Sequence, residues 1–143
     1  MERRLDASSP SLAADEISDR HDLCYHHFFL IKPMIATPTL TPQEAEKRIA
    51  SGTAVLIDVR EPFEWESGVA KSANLLPLSD LTDGRSRWKQ FLAQHHDKEL
   101  IVYCRTGNRS GIAAGVLRAE GFQVSNAGSF GDWQNAGLPT HKP

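Results

Sequence analysis

Residues Val102-Tyr103-Cys104-Arg105-Thr106-Gly107-Asn108-Arg109-Ser110-Gly111 read VYCRTGNRSG. The segment Glu99 to Tyr103 is a short apolar run, as expected for a strand buried on both faces. Ile112, Ala113, Val116 and Leu117 then recur at helical spacing, with Gly121 as the stop. The cysteine therefore sits at the carboxyl end of a strand, and the six residues Cys104 to Arg109 must turn the chain into a helix that begins near Ser110. Gly107 and Asn108 are residue types that tolerate the unusual backbone angles of such a turn.

Working outward, the same alternation continues on both sides. Thr41-Pro42-Gln43-Glu44 carries a helix start, and Ser51-Gly52 a stop. Ala54 to Val59 reads as a second buried strand and Glu61 to Ser67 as a short helix ended by Gly68. Asn74-Leu75-Leu76 reads as a brief strand before Pro77, and Arg85 to His96 as a helix with Trp88, Phe91 and Leu92 on one face. Phe122 to Ser125 reads as a further strand and Ser129 to Ala136 as a last helix. Strands alternating with helices imply an α/β fold with an open, mostly parallel sheet covered on both faces. Ligands of such sheets bind outside the carboxyl ends of the strands, where Cys104 is expected.

The chemistry of that position can be sized. A free thiol, with a pKa of about 8.5, is only a few per cent thiolate near neutral pH. Backbone N–H groups of a tight turn form an anion-binding nest, and a helix N-terminus adds its positive dipole end. Together with the flanking Arg105 and Arg109 they are expected to lower the thiol pKa by about one to several units, the usual way to activate a nucleophilic cysteine. Ser110 can add a hydroxyl hydrogen bond to the sulfur or cap the helix. The competing reading is a small, packed core cysteine, which gains nothing from two nearby cations.

The chain of 143 residues carries a net charge of −2, so no general attraction to nucleic acid or anionic lipid is expected, and anion binding must come from a local cluster. Hydrophobic residues make up 40% and charged residues 24%, ordinary for a globular domain. The two cysteines, Cys24 and Cys104, are too few for a disulfide framework. With no signal-like segment in the first residues and no apolar stretch long enough to cross a membrane, a cytoplasmic monomer is the expectation. Residues 1–36 mix Ser, Asp, Arg and His without period and read as a flexible N-terminal extension ahead of a domain spanning 37–143.

These residues resemble the rhodanese (thiosulfate sulfurtransferase) family. Ile57-Asp58-Val59-Arg60-Glu61-Pro62 is similar to its strand-exit motif, and Cys104-Arg105-Thr106-Gly107-Asn108-Arg109-Ser110 to its active-site loop. Ala113-Ala114 with Leu117 and Gly121-Phe122 resembles its next helix, and Trp133 with Gly137-Leu138-Pro139 its closing motif. The resemblance spans about residues 37 to 140, in order. It implies a three-layer α/β/α rhodanese-like fold whose mostly parallel sheet has five strands in the order 3-2-4-5-1. It also implies sulfur transfer through a persulfide on Cys104. Residues 105 to 110 (Arg105, Thr106, Gly107, Asn108, Arg109 and Ser110) would bind a small anionic sulfur donor, and a thiol or protein would accept the sulfur, without cofactor or metal. Val69-Ala70-Lys71-Ser72 replaces the family's usual His-Ile stretch and following glycine, and Gly128-Ser129 its glycine pair, so the site entrance departs from the pattern.

Asp58 and Arg60 read as supporting residues. An aspartate at a strand exit commonly bonds loop N–H groups, and Arg60 is expected to pair with a carboxylate. Trp65, Trp88 and Trp133 read as packing residues. Two rival functions share the fold. Cysteine phosphatases, and arsenate reductases related to them, place five residues between their Cys and Arg, whereas only Arg105, Thr106, Gly107 and Asn108 lie between Cys104 and Arg109. The shorter ring suits one sulfur atom carried on cysteine better than a phosphoryl group. A non-enzymatic sulfur-carrier or binding module is the other rival. His21, Cys24, His26 and His27 lack the spacing of a zinc framework.

Overall fold

The computed structural model describes residues 36–143; the N-terminal segment with His21, Cys24, His26 and His27 lies outside the described residues. Helix α1 (Pro42–Ala50) leads into β1 (Ala54–Asp58), α2 (Pro62–Trp65), β2 (Val69–Ala70) and β3 (Ala73–Leu75). Then come α3 (Leu78–Leu81), α4 (Ser86–Gln94), β4 (Glu99–Cys104), α5 (Asn108–Ala119), β5 (Val124–Ser129), α6 (Phe130–Asn135) and β6 (Thr140–His141). The start of α1 is fixed by a reciprocal cap: Glu44 N–H donates to Thr41 Oγ1 at 3.1 Å and Thr41 N–H to Glu44 Oε1 at 2.9 Å, with Pro42 at the first helical position.

The central sheet runs β3-β1-β4-β5, with all neighbours parallel. Asp58 lies opposite Tyr103, so β1 and β4 end side by side. Successive side chains of a strand point to opposite faces, and this divides the core in two. Ile57, Leu100, Val102 and Cys104 pack with Trp88, Ala113, Ala114 and Leu117 on one face. Leu56, Ile101 and Tyr103 pack with Ala45, Phe130 and Trp133 on the other. β4 is buried along its whole length, as a central strand covered by helices on both faces must be. Trp65, Trp88 and Trp133 are all buried.

The architecture is the expected three-layer one, with a smaller strand count. Among the described residues four strands form this sheet, and the fifth position is held by one parallel bridge between Thr39 and Asn126. Two bonds make it, Asn126 N–H to the Pro38 carbonyl and Leu40 N–H to the Asn126 carbonyl. Pro38 has no N–H to extend the ladder, and the Thr41 N–H is already taken by Glu44. Two further elements were not anticipated: the helical turn α3, and the antiparallel pair of β2 with β6. The strand expected at Phe122 to Ser125 instead runs from Val124 to Ser129, with a register shift against β4 between Val102 and Cys104. That irregularity lies directly under the cysteine loop.

Candidate active site

The loop after β4 closes over the sulfur. Gly107 takes φ +94, a backbone conformation that favours glycine, and serves as the N-cap of α5. A Cβ there would also approach the Gly128 Cα at 3.5 Å. Asn108 does not share the unusual geometry; it is the first helical residue. Ser110, expected at the helix start, falls within the first turn, and its hydroxyl points to the sulfur and to β5 rather than capping.

Gly107 N–H donates to Cys104 Sγ at 3.0 Å, and the Ser110 hydroxyl lies 3.5 Å from it. Burial alone would push the thiol up, since Cys104 is 0% exposed. The Ser110 hydroxyl and the N–H groups of Ser110, Thr106 and Gly107 outweigh it, and the thiol is held below its ordinary value. Donors of the loop and helix end therefore dominate, rather than the two arginines. Cys104 is thus a packed core residue whose surrounding donors favour the thiolate.

Arg109 is bound to Glu64 of α2 through two hydrogen bonds, 2.6 Å and 2.8 Å long. This bidentate pair holds the Glu64 carboxyl at about 2, chiefly through the Arg109 hydrogen bonds. A carboxyl lowered on folding adds stability above its unfolded value, about 4.3, and loses it as pH falls through the folded value. The stability difference between the parent and Glu64→Gln is therefore expected to be full at neutral pH, at about 1–3 kcal/mol, and to shrink between about pH 4.3 and about 2. Urea unfolding at several pH values measures it. A difference independent of pH would show that the Glu64 charge is not what holds Arg109.

Arg60 is closed in the same way. Its guanidinium donates to both Asp58 carboxylate oxygens, the shortest bond being 2.7 Å, and to the Gly68 carbonyl at 2.7 Å. It also stacks over the Phe130 ring at 4.4 Å. The Tyr103 hydroxyl donates to Asp58 at 2.7 Å and accepts from Ala70 N–H at 3.0 Å. Burial first, and the Asp58 charge second, push the Tyr103 hydroxyl far above its ordinary value, so it remains a donor. The pair thus ties the strand exit of β1 to β4 and to the turn before β2.

Arg105 differs from both. It is exposed, and among the described residues no hydrogen bond or ion pair engages its side chain. It borders a cavity of about 460 Å³ with Phe63, Ser67, Phe130 and Gln134, and Phe63 there is 74% exposed. Thr106 in the loop and Asn108 at the start of α5 are both exposed, joined by a 3.4 Å bond from Asn108 N–H to Thr106 Oγ1. Among the described residues no group of three or more His, Cys, Asp or Glu side chains could hold a metal ion, and no helix is long and apolar enough to cross a membrane.

Three participants escape a reading of the loop alone: Glu64, Tyr103 and Asn126. Glu64 and Tyr103 reach their partners across 45 positions of sequence. Asn126 reaches Ser110 across 16 and Gly107 across 19. Nothing local marks them, because each acts through a neighbour supplied by the sheet order.

Residues 41–136 match the rhodanese-like domain family. An uncharacterised Synechocystis protein, slr1261, is 34% identical over 73% of this chain and 56% of its own length. The probable adenylyltransferase/sulfurtransferase MoeZ of Mycobacterium tuberculosis is 38% identical over 59% of this chain and 21% of its own. The chain thus spans about half or less of the length of these relatives. Among solved structures, a rhodanese-related protein from Thermoplasma volcanium superposes with a TM-score of 0.62 at 28% identity, over 74% of this chain and 99% of that one. The Rhodopseudomonas palustris protein RPA3614, described as a possible tyrosine phosphatase, superposes with 0.63 at 29%, over 79% and 91%. With its family motifs, sheet order and cysteine loop all in place, the chain belongs to the rhodanese-like domain family.

Proposed function

We propose that the protein is a sulfurtransferase that moves a sulfane sulfur from thiosulfate or a similar anionic donor to a thiophilic acceptor. The observation that carries this reading is the Cys104 sulfur at the centre of a six-residue loop, with Gly107 N–H at 3.0 Å and its pKa lowered by loop donors. The Cys104 thiolate attacks the outer sulfur of thiosulfate. A sulfur–sulfur bond forms to Cys104, and the bond to the central sulfur breaks with its electron pair leaving on sulfite. A thiol or other nucleophile then attacks the outer persulfide sulfur and returns the Cys104 thiolate. The donors that favour the thiolate also favour a persulfide anion at the same place. A sulfurtransferase among the relatives supports the reading. The phosphatase rival, kept alive by the likeness to RPA3614, is opposed by the four-residue interval between Cys104 and Arg109.

Among the described residues Arg109 is paired with Glu64 and Arg105 with no side chain, so Arg105 is assigned the attraction of the donor, while Arg109 braces the loop. Arg105→Ala is accordingly expected to raise KM for thiosulfate by about tenfold with a smaller change in kcat, and to flatten the salt dependence of kcat/KM. Arg109→Ala is expected to lower kcat and thermal stability together. Steady-state kinetics at two ionic strengths separates the two.

Cys104 has no exposed surface in the closed loop, so the reading requires the loop to admit the terminal sulfur of the donor. Mass spectrometry after incubation with thiosulfate tests it. The expected result is a gain of one sulfur atom on the peptide containing Cys104, lost again on adding cyanide, with little hydrolysis of a generic phosphate ester. Phosphate-ester hydrolysis without sulfur gain would reverse the assignment in favour of the phosphatase.

A further inference from the structure

Asn126 of β5 uses its side-chain amide three ways. Its Oδ1 accepts from the Ser110 hydroxyl at 2.8 Å and from Gly128 N–H at 2.9 Å, and its Nδ2 donates to the Gly107 carbonyl at 3.1 Å. The orientation of the amide is forced, because Gly128 offers only a donor and Gly107 only an acceptor. Its backbone is pinned as well, to Pro38 and Leu40.

The Ser110 hydroxyl stands between this amide and the sulfur. It lies 2.8 Å from Asn126 Oδ1 and 3.5 Å from Cys104 Sγ, and it has one proton to give. While Cys104 carries its own proton, the hydroxyl donates to Asn126 Oδ1 and can accept from the thiol. When charge develops on the sulfur, the same proton is worth more there, because a bond to an ionised partner is the stronger. The hydroxyl then turns to the sulfur, and Asn126 Oδ1 keeps the Gly128 N–H.

We propose that Asn126 is a positioning residue for the sulfur chemistry, acting through Ser110. It holds the hydroxyl between two acceptors, so that ionisation of Cys104 is accompanied by one hydroxyl rotation and leaves no polar group unpaired. The inference rests on Cys104 as the reacting thiol, but not on which donor it uses. The charged groups on the elements around the loop are Arg105, Arg109 with Glu64 and, at longer range, Glu61, the closed Asp58–Arg60 pair, and Asp132 beside Gly128. None of these is removed by a change at position 126.

The test is the pH dependence of Cys104 alkylation by iodoacetamide, which reads the thiol directly and is independent of sulfur transfer. Asn126→Asp places a charged acceptor on the hydroxyl, which then keeps its proton away from the sulfur. It also adds a negative charge near the sulfur and removes the donor to the Gly107 carbonyl, effects that do not need the hydroxyl and that a Ser110→Ala background measures. The alkylation profile is expected to move up by about one pH unit, with sulfur transfer at neutral pH down by about tenfold and recovering at higher pH. In a Ser110→Ala background the same Asn-to-Asp change is expected to move the profile by less than half as much, since the relay is gone. An undiminished shift there, or no shift from Asn126→Asp alone, overturns the proposal. Ser110→Ala by itself decides the matter should the position-126 variant fail to fold. It is expected to raise the thiol profile, and an unmoved profile overturns the relay. If alkylation behaves as expected while no sulfur is gained from thiosulfate, the positioning role stands and the sulfurtransferase reading falls.

Discussion

Cys104→Ser is expected to lower thiosulfate:cyanide sulfur transfer by about a thousandfold or more, to the background of the uncatalysed reaction, while the domain stays folded. A serine hydroxyl is not ionised near neutral pH and cannot carry a persulfide, so the donors around position 104 have no sulfur anion to stabilise. The fold should survive for a specific reason. The smaller oxygen can still accept from Gly107 N–H, now 3.0 Å from Sγ, and so introduces no unpaired buried polar group. The cost is expected to be about 1 kcal/mol, a fall of about 4–8 °C in Tm for a domain of this size. A coupled cyanide assay and thermal unfolding give both numbers. Retention of most turnover by the serine variant would reject Cys104 as the nucleophile, whatever the family.

Arg60→Ala is expected to lower stability by about 3–5 kcal/mol. Asp58 is 0% exposed and Arg60 only 3%, so the truncation leaves a buried carboxylate without its cation. The Tyr103 hydroxyl and the residue-60 N–H would still donate to it, at present 2.7 Å and 2.9 Å away, but neither supplies charge. The Gly68 carbonyl would lose its 2.7 Å donor, and Phe130 its stacked cation. Against a typical domain stability of about 5–15 kcal/mol, the loss takes a large fraction. Urea unfolding measures it. The paired replacement Asp58→Leu with Arg60→Met is expected to cost much less than Arg60→Ala alone, because no charge is then stranded. If the double variant is as unstable as the single one, the hydrogen bonds rather than the charges hold the strand exit. Activity should fall with stability in both, since Arg60 also fixes the turn that presents Glu64 to Arg109.

The two predictions concern residues of opposite legibility. Cys104, Gly107 and Ser110 could be placed at the sulfur from sequence because strand, turn and helix follow one another without interruption. Over so few residues, chain geometry alone decides what meets the thiol. The short apolar run from Leu100 to Tyr103 likewise implied a strand covered on both faces, as its split between the two core clusters bears out. The charge around the loop was read less well. Arg105 and Arg109 look equivalent in sequence, yet among the described residues one has no side-chain partner and the other is neutralised by a carboxylate 45 positions away.

What the sequence determined by itself was thus the α/β order, the two-faced core and the place of Cys104 at the turn from strand to helix, all set by local periodicity and by turn chemistry at Gly107. What only the tertiary structure decided was which charges remain available, that the fifth strand shrinks to the Thr39–Asn126 bridge, and that Asn126 meets Ser110 and Gly107. The physical reason is common to all three. Each depends on the lateral packing of segments far apart in the chain, where a side chain spends its hydrogen bonds on whichever neighbour the sheet order brings within about 3 Å.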